Sequence, residues 1–180
     1  MQNKYKLALI YSGASILGVL LFLIQYNRID PFLLFLYELL LVFGYIATVI
    51  DIKEKRIPNK LILTMIGVWV ISIVAKIFFD IEVAVILLID SLIGFAIGGG
   101  LFFIVYLVSR KGLGGGDVKF MAAAGLYLGF TKLLSAMLYG TLLAAIVAVT
   151  LLLIKKIGRK DSIPLAPFLF LGILVAVIFG

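Results

Sequence analysis

The sequence predicts an all-α membrane protein, a polytopic bundle of six to seven transmembrane segments with a cytoplasmic N-terminus. Three observations carry that prediction. The 180 residues are 64% hydrophobic and only 14% charged, with a mean hydropathy of +1.28, whereas soluble domains are about half apolar and about a quarter charged. The apolar residues fall into seven long runs. The basic residues gather on one side of those runs. A soluble globule could not cover this much apolar surface, and a disordered chain would carry far less of it. The net charge of +7 therefore reads as membrane topology before it reads as affinity for nucleic acid.

In order, the runs cover residues 7–24, 32–50, 61–79, 83–108, 118–130, 133–154 and 163–179. A hydrocarbon core of about 30 Å takes about 20 helical residues. The first run follows Lys4 and Lys6 as a signal peptide would. It exceeds the usual apolar core of one, however, and Gln25-Tyr26-Asn27 is no small-residue cleavage site. It reads as a retained helix. The second and third span comfortably, and the fourth is the longest at 26 residues. The fifth, with 13, is too short to cross alone. Pro58 and Pro164 are each expected to open a helix, where a missing N–H costs nothing. Gly94/Gly98 and Gly125/Gly129 have the spacing that lets helices approach closely. No linker or repeat divides the chain, so residues 1–180 read as one membrane-embedded domain.

Alternating sides from a cytoplasmic N-terminus puts 13 basic residues inside and three outside: Arg28, Lys76 and Lys132. The bias satisfies the positive-inside rule only if the short fifth run is a true crossing. Seven segments then leave the C-terminus outside.

Nine acidic residues are few enough to weigh singly. Asp30, Asp80 and Glu82 fall in outer loops, and Glu54 and Asp161 in basic inner ones. Glu38 and Asp90 lie roughly 10 Å deep from the outer side. A structural role suits both, with Lys76 or a hydroxyl as partner. Asp51 ends the second run and Asp117 begins the fifth, both at the cytoplasmic side. Alone, each has an ordinary explanation, Asp51 as a boundary charge and Asp117 as a helix N-cap. Together they change the weighing. A 13-residue helix is only about 20 Å long, so Gly114-Gly115-Gly116 must dip into the membrane to deliver Asp117. That describes a water-accessible notch holding two carboxylates. The glycines suit a sharp turn and a close approach of substrate backbone.

With no His and no Cys, serine–histidine triads, cysteine nucleophiles and imidazole- or thiolate-bound metals are excluded. Two carboxylates around one water remain sufficient for peptide hydrolysis. Like charges at short range do not ionise together, so the pair shares a proton: one member deprotonates the water, the other donates to the scissile carbonyl. No cofactor and no metal are expected.

Asp51 with Ile57-Pro58-Asn59, the Gly114-Gly115-Gly116-Asp117 element followed by Val118-Lys119, and Pro164-Leu-Ala-Pro-Phe168 resemble the type IV prepilin peptidases, GxGD membrane aspartic proteases related in motif to the archaeal preflagellin peptidases. The likeness covers roughly residues 45–180. It implies a membrane aspartic endopeptidase with Asp51 and Asp117 catalytic, Gly114, Gly115 and Gly116 as the active-site loop, and Lys119 in a supporting position. The implied substrates are prepilin-like precursors (pilins, pseudopilins, Flp-type pilins or archaellins), cut between a basic leader and an apolar helix at the cytoplasmic face of the cell membrane. Anionic lipid is the expected second partner, and nucleic acid is not expected. The larger bacterial enzymes carry an N-terminal cytoplasmic region, often Cys-rich, tied to methylation. Only residues 26–31 separate the first two runs here, and no Cys exists, so methyltransferase activity is not expected. The competing class is a small transporter using intramembrane acids, which would string them along one path across the bilayer.

Overall fold

The computed structural model describes residues 29–109, 112–156, 158 and 163–179. The predicted first segment lies outside them. The described residues form a helical bundle without strands: α1 Pro31–Glu54, α2 Asn59–Phe79, α3 Ile81–Val108, α4 Gly115–Leu153 and α5 Ala166–Phe179. The first four are long and apolar enough to cross a membrane. Large side chains such as Ile71, Phe78 and Ile86 stand exposed on their outer faces, as a lipid-facing surface requires.

Helix starts follow side-chain chemistry. The Asp30 carboxylate accepts from the N–H groups of Phe32 (2.9 Å) and Leu33 (3.3 Å), and Pro31 opens α1. Asp80 caps α3 through the Val83 N–H at 3.2 Å. Both acids are helix caps rather than merely solvated loop residues, and an Asp directly before an apolar run is the signal for it. The prolines sit slightly off their expected places. Pro58 is the N-cap of α2, and α5 begins two residues after Pro164, with Pro167 second in the helix.

The predicted fifth and sixth segments are one helical stretch, α4, broken at Gly129 (φ 65°, ψ −171°). A straight helix would hold Asp117 and Ala145 about 42 Å apart. Instead, Ala144, Ala145 and Ala148 line the same cavity as Gly114 and Asp117. The chain therefore reverses at Gly129, and the short first half of α4 is a separate passage through the bundle. The break frees backbone donors, and Asp90 on α3 supplies an acceptor: Phe130 N–H donates to Asp90 Oδ1 at 3.1 Å. Asp90 is thus a cap for the second half of α4, delivered from a neighbouring helix.

Glycines set the spacing around this hairpin. A Cβ on Gly94 or on Gly125 would strike the other's backbone, and one on Gly98 would strike the Met121 carbonyl. The first half of α4 is consequently packed backbone-to-backbone on α3. Gly129 shares in that contact, its backbone lying 3.0 Å from a Cβ built on Gly94, and it also makes the reversal. The second half of α4 meets α5 in the same manner through Gly140 and Gly172, and α1 joins α5 where the Phe170 ring lies on Gly44. Tyr127 OH donates to the Met65 carbonyl at 2.6 Å, tying α4 to α2.

Lys76 does not pair with Glu38. Its ammonium sits 5.4 Å from the centre of the Phe32 ring, as Lys132 sits 5.5 Å from that of Tyr37, so cation–π attraction holds both. Among the described residues Glu38 has no hydrogen-bond or ion-pair partner.

Two substitutions test the reversal. Gly129→Ala demands a φ/ψ region essentially reserved for glycine, at a cost of about 1–3 kcal/mol, and also drives a methyl into Asp90. Asp90→Leu removes the acceptor from Phe130, again about 1–3 kcal/mol, whereas Asp90→Asn keeps a carbonyl oxygen there. Thermal unfolding in detergent is expected to show a lowered midpoint for Gly129→Ala and Asp90→Leu, and a near-native one for Asp90→Asn.

Candidate active site

Asp51 lies in the last turn of α1, with 4% of its surface exposed. A buried carboxylate needs donors, and a new helix start needs acceptors for its orphan N–H groups. The two needs meet: Ala166 N–H, the first of α5, donates to Asp51 Oδ2 at 3.0 Å. One turn earlier, Thr48 Oγ1 donates to the Ala166 carbonyl at 3.4 Å. The end of α1 is thereby fastened to the start of α5.

Asp117 is the third residue of α4, with 9% exposed. It is not the N-cap; Gly114 is. The Gly114 N–H donates to Asp117 Oδ2 at 3.2 Å. This is the return half of a capping box, made with an N-cap that has no side chain. Each aspartate thus spends one oxygen on a backbone N–H at a helix start. Among the described residues, no hydrogen bond engages the other oxygen of either.

The two aspartates, 66 positions apart, line one cavity of about 430 Å³. It is also lined by the 112–114 turn, by Ala144, Ala145 and Ala148 of α4, and by Ile163, Pro164, Leu165 and Phe168 around the start of α5. Lys55, just past the end of α1, adds a cationic side chain. Among the described lining residues, the charged side chains are the two acids and Lys55. Such a setting suits proton exchange with a single bound water and a peptide group.

The glycines do something other than the sequence suggests. They form no irregular loop: Gly115 and Gly116 are the first two residues of α4, and none of the three has a positive φ. What they provide is space, unequally. A Cβ on Gly114 would lie 2.8 Å from Asp117 Oδ2. One on Gly116 would lie 3.2–3.3 Å from the Cβ, N and O of Ile57, while one on Gly115 would meet nothing within 4 Å. Gly116 is therefore occupied by the chain's own Ile57, and only Gly115 is open to an approaching backbone.

Lys119 points away from the acid pair. Its Nζ donates to Asn59 Oδ1 at 2.9 Å, and with Ile62, Ile66 and Phe95 it borders a different groove. Sequence reasoning missed Thr48 and Ala166, whose contribution is a hydroxyl contact and a backbone N–H. The Pro164-Leu-Ala-Pro run was the available signal, because two prolines beside a helix start leave few donors for a carboxylate to find.

The sequence profile of the type IV leader peptidase family matches residues 38–149. Curated relatives named prepilin leader peptidase/N-methyltransferase include one from Legionella pneumophila, 28% identical over 81% of this chain and 50% of the relative. One from Bacillus subtilis (strain 168) is 26% identical over 75% of the chain and 52% of its own length. A third, from Aeromonas salmonicida, is 27% identical over 94% and 58%. The chain spans about half the length of these curated relatives. No solved structure matches it. With residues 38–149 holding both aspartates and most of the helices that carry them, this chain belongs to the type IV leader peptidase family.

Proposed function

We propose that the protein is a membrane aspartic endopeptidase that removes the basic leader from prepilin-like precursors, with Asp51 and Asp117 as its catalytic pair. The observation that carries the reading is the meeting of these two buried carboxylates in one cavity at one end of the bundle. Among the described residues each is pinned through one oxygen, and the second is the one we give to water or substrate. In the cycle, the ionised aspartate takes a proton from the water as it attacks the scissile carbonyl. The protonated partner donates to the carbonyl oxygen; as the C–N bond breaks, the proton taken from water passes to the leaving amine and a hydroxyl of the tetrahedral intermediate returns one to the partner, which restores the pair. We give neither role to one residue alone.

The end of the bundle that holds the acid pair also carries Lys53, Lys55, Arg56, Lys60, Lys119, Lys155 and Lys156, against Lys76 and Lys132 at the other. Under the positive-inside rule this supports an active site at the cytoplasmic face. We assign only the peptidase activity to this chain, not the methyl transfer in its relatives' names, because the chemistry visible in the described residues is that of a carboxylate pair. The transporter reading is not favoured: the two buried acids lie together at one end and trace no path across the bilayer.

Asp51→Asn and Asp117→Asn are each expected to lower cleavage of a precursor by at least about a hundredfold, the lower range for losing a general acid or base. Expression and membrane insertion should be unchanged. Retention of a tenth of the activity by either variant would sink the pair mechanism.

The glycine run yields a graded series. Gly115→Ala meets no neighbour and is expected to cleave at near-native rate. Gly114→Ala displaces the Asp117 carboxylate and should lower kcat at least tenfold. Equal losses at both positions would contradict this steric reading.

Substrate gathering is separately testable. Glu54, an acid at this end outside the pair, is already engaged by Arg56 at 3.2 Å, so a basic leader finds little free negative charge there. Asp161 lies outside the described residues. Anionic lipid, at about 1 kcal/mol per near-surface charge, is then what concentrates the leader. Removing leader charges should slow cleavage more in anionic liposomes than in neutral detergent, and equal sensitivity in both would mean that the enzyme reads the leader itself.

A further inference from the structure

We propose that the connector from Lys55 to Asn59 is the positioning element that holds Asp51 and Asp117 at working distance, and that the Lys119–Asn59 hydrogen bond is its latch. The inference rests on the acid pair proposed above. It gives Lys119 and Asn59 a positioning role, since neither lines the cavity that contains the aspartates.

Three attachments fasten this connector. At its start, Lys55 takes a left-handed conformation (φ 51°, ψ 37°), and its N–H closes on the Asp51 carbonyl at 2.8 Å. The chain thus turns back directly at the residue that carries the first carboxylate. In the middle, Ile57 is buried, and Gly116 leaves no room for a Cβ beside Ile57's own backbone. Ile57 is therefore seated on the turn of α4 that carries Asp117, one residue away. At its end, Asn59 opens α2 and accepts from Lys119 Nζ at 2.9 Å, two residues past Asp117 on α4. One five-residue segment is bonded to the backbone of the first aspartate and packed beside the second. The latch spans both elements.

The direction of Lys119 separates this role from a catalytic one. Successive helical residues are offset by about 100°, so a side chain two positions after Asp117 faces nearly away from it. Lys119 acts across the helix, not into the cavity. Its amine meets a neutral amide oxygen, a bond that loosens without leaving a buried charge behind. The connection is a short-range one of the kind a misplacement of about 1 Å can unsettle, and such misplacements cost about a hundredfold in rate when they reach reacting groups.

The absence of cysteine in the chain allows the geometry to be read without relying on activity. Cysteines placed at both aspartate positions, Asp51→Cys with Asp117→Cys, would be the only thiols, and a short bifunctional maleimide reports their separation. Adding Lys119→Met or Asn59→Ala to that full-length double variant is expected to lower cross-linking yield at least threefold. In the otherwise native enzyme, Lys119→Met and Asn59→Ala should each lower kcat about tenfold at unchanged KM, and the double variant should be no worse than either single. Asn59→Asp, which keeps an acceptor for the ammonium, should retain near-native kcat and cross-linking. Unchanged cross-linking in the latch variants overturns the proposal. So does additive loss in the double variant, or a rise in KM at constant kcat, which would make Lys119 a substrate contact. Failure of the acid-pair reading itself would show instead as activity surviving Asp51→Asn, with the cross-linking result unaffected.

Discussion

The reversal of α4 at Gly129 is the constraint on which the rest of this architecture depends. A continuous helix from Gly115 to Leu153 would be far longer than a bilayer is thick, and would carry Ala144 and Ala148 away from Asp117. Breaking it inside the membrane exposes backbone groups where water cannot satisfy them, which is costly unless a neighbour supplies partners. Asp90 does so for Phe130. An acidic residue in a membrane helix is normally a functional suspect, and here its use is architectural. It lets the chain fold back so that a short helix can present its first turn inside the bundle.

The same device recurs at the candidate site. Asp117 meets the N–H of its own helix start, while Asp51 meets the first N–H of a different helix, α5. Helix N-termini attract negative charge because their leading N–H groups lack intrahelical partners. Two such termini converge on one cavity, and among the described residues neither carboxylate there is held by an ion pair. An Arg or Lys bonded directly to either acid would fix the carboxylate equally well, yet would oppose its taking up a proton. Among the described residues, a single backbone donor orients each group.

Glycine is used here for proximity far more than for conformational freedom. Gly94 and Gly125 bring α3 and α4 to backbone contact, Gly140 and Gly172 do so for α4 and α5, and Gly116 admits Ile57 against the turn that carries Asp117. In a membrane there is little hydrophobic gain in burying one apolar side chain against another rather than against lipid, so close packing of small residues supplies the association instead. Among the described glycines, Gly129 alone has a positive φ.

Much was legible in the sequence because the bilayer imposes simple rules. Run lengths and the basic asymmetry determined a helical membrane protein, and the lack of His and Cys left any hydrolytic chemistry to carboxylates, Lys, Ser, Thr or Tyr. The shortness of the fifth run marked Asp117, and the placement of Asp51 at the same face marked its partner. The structure decided matters that pattern alone does not encode. A hydrophobic run does not say whether it continues straight or folds back, so the hairpin in α4 rests on one glycine torsion and one side chain from another helix. Nor does a run of three glycines say which atoms fill the space they leave: Ile57 from a distant segment takes one, the Asp117 carboxylate crowds another, and one stays open. Asp51's donor is a backbone N–H 115 residues away, and a main-chain donor leaves no residue-type signature. The sequence by itself determined which chemistry was possible; the tertiary packing decided which atoms hold it in place, because those contacts join segments whose only relation is their position in the folded bundle.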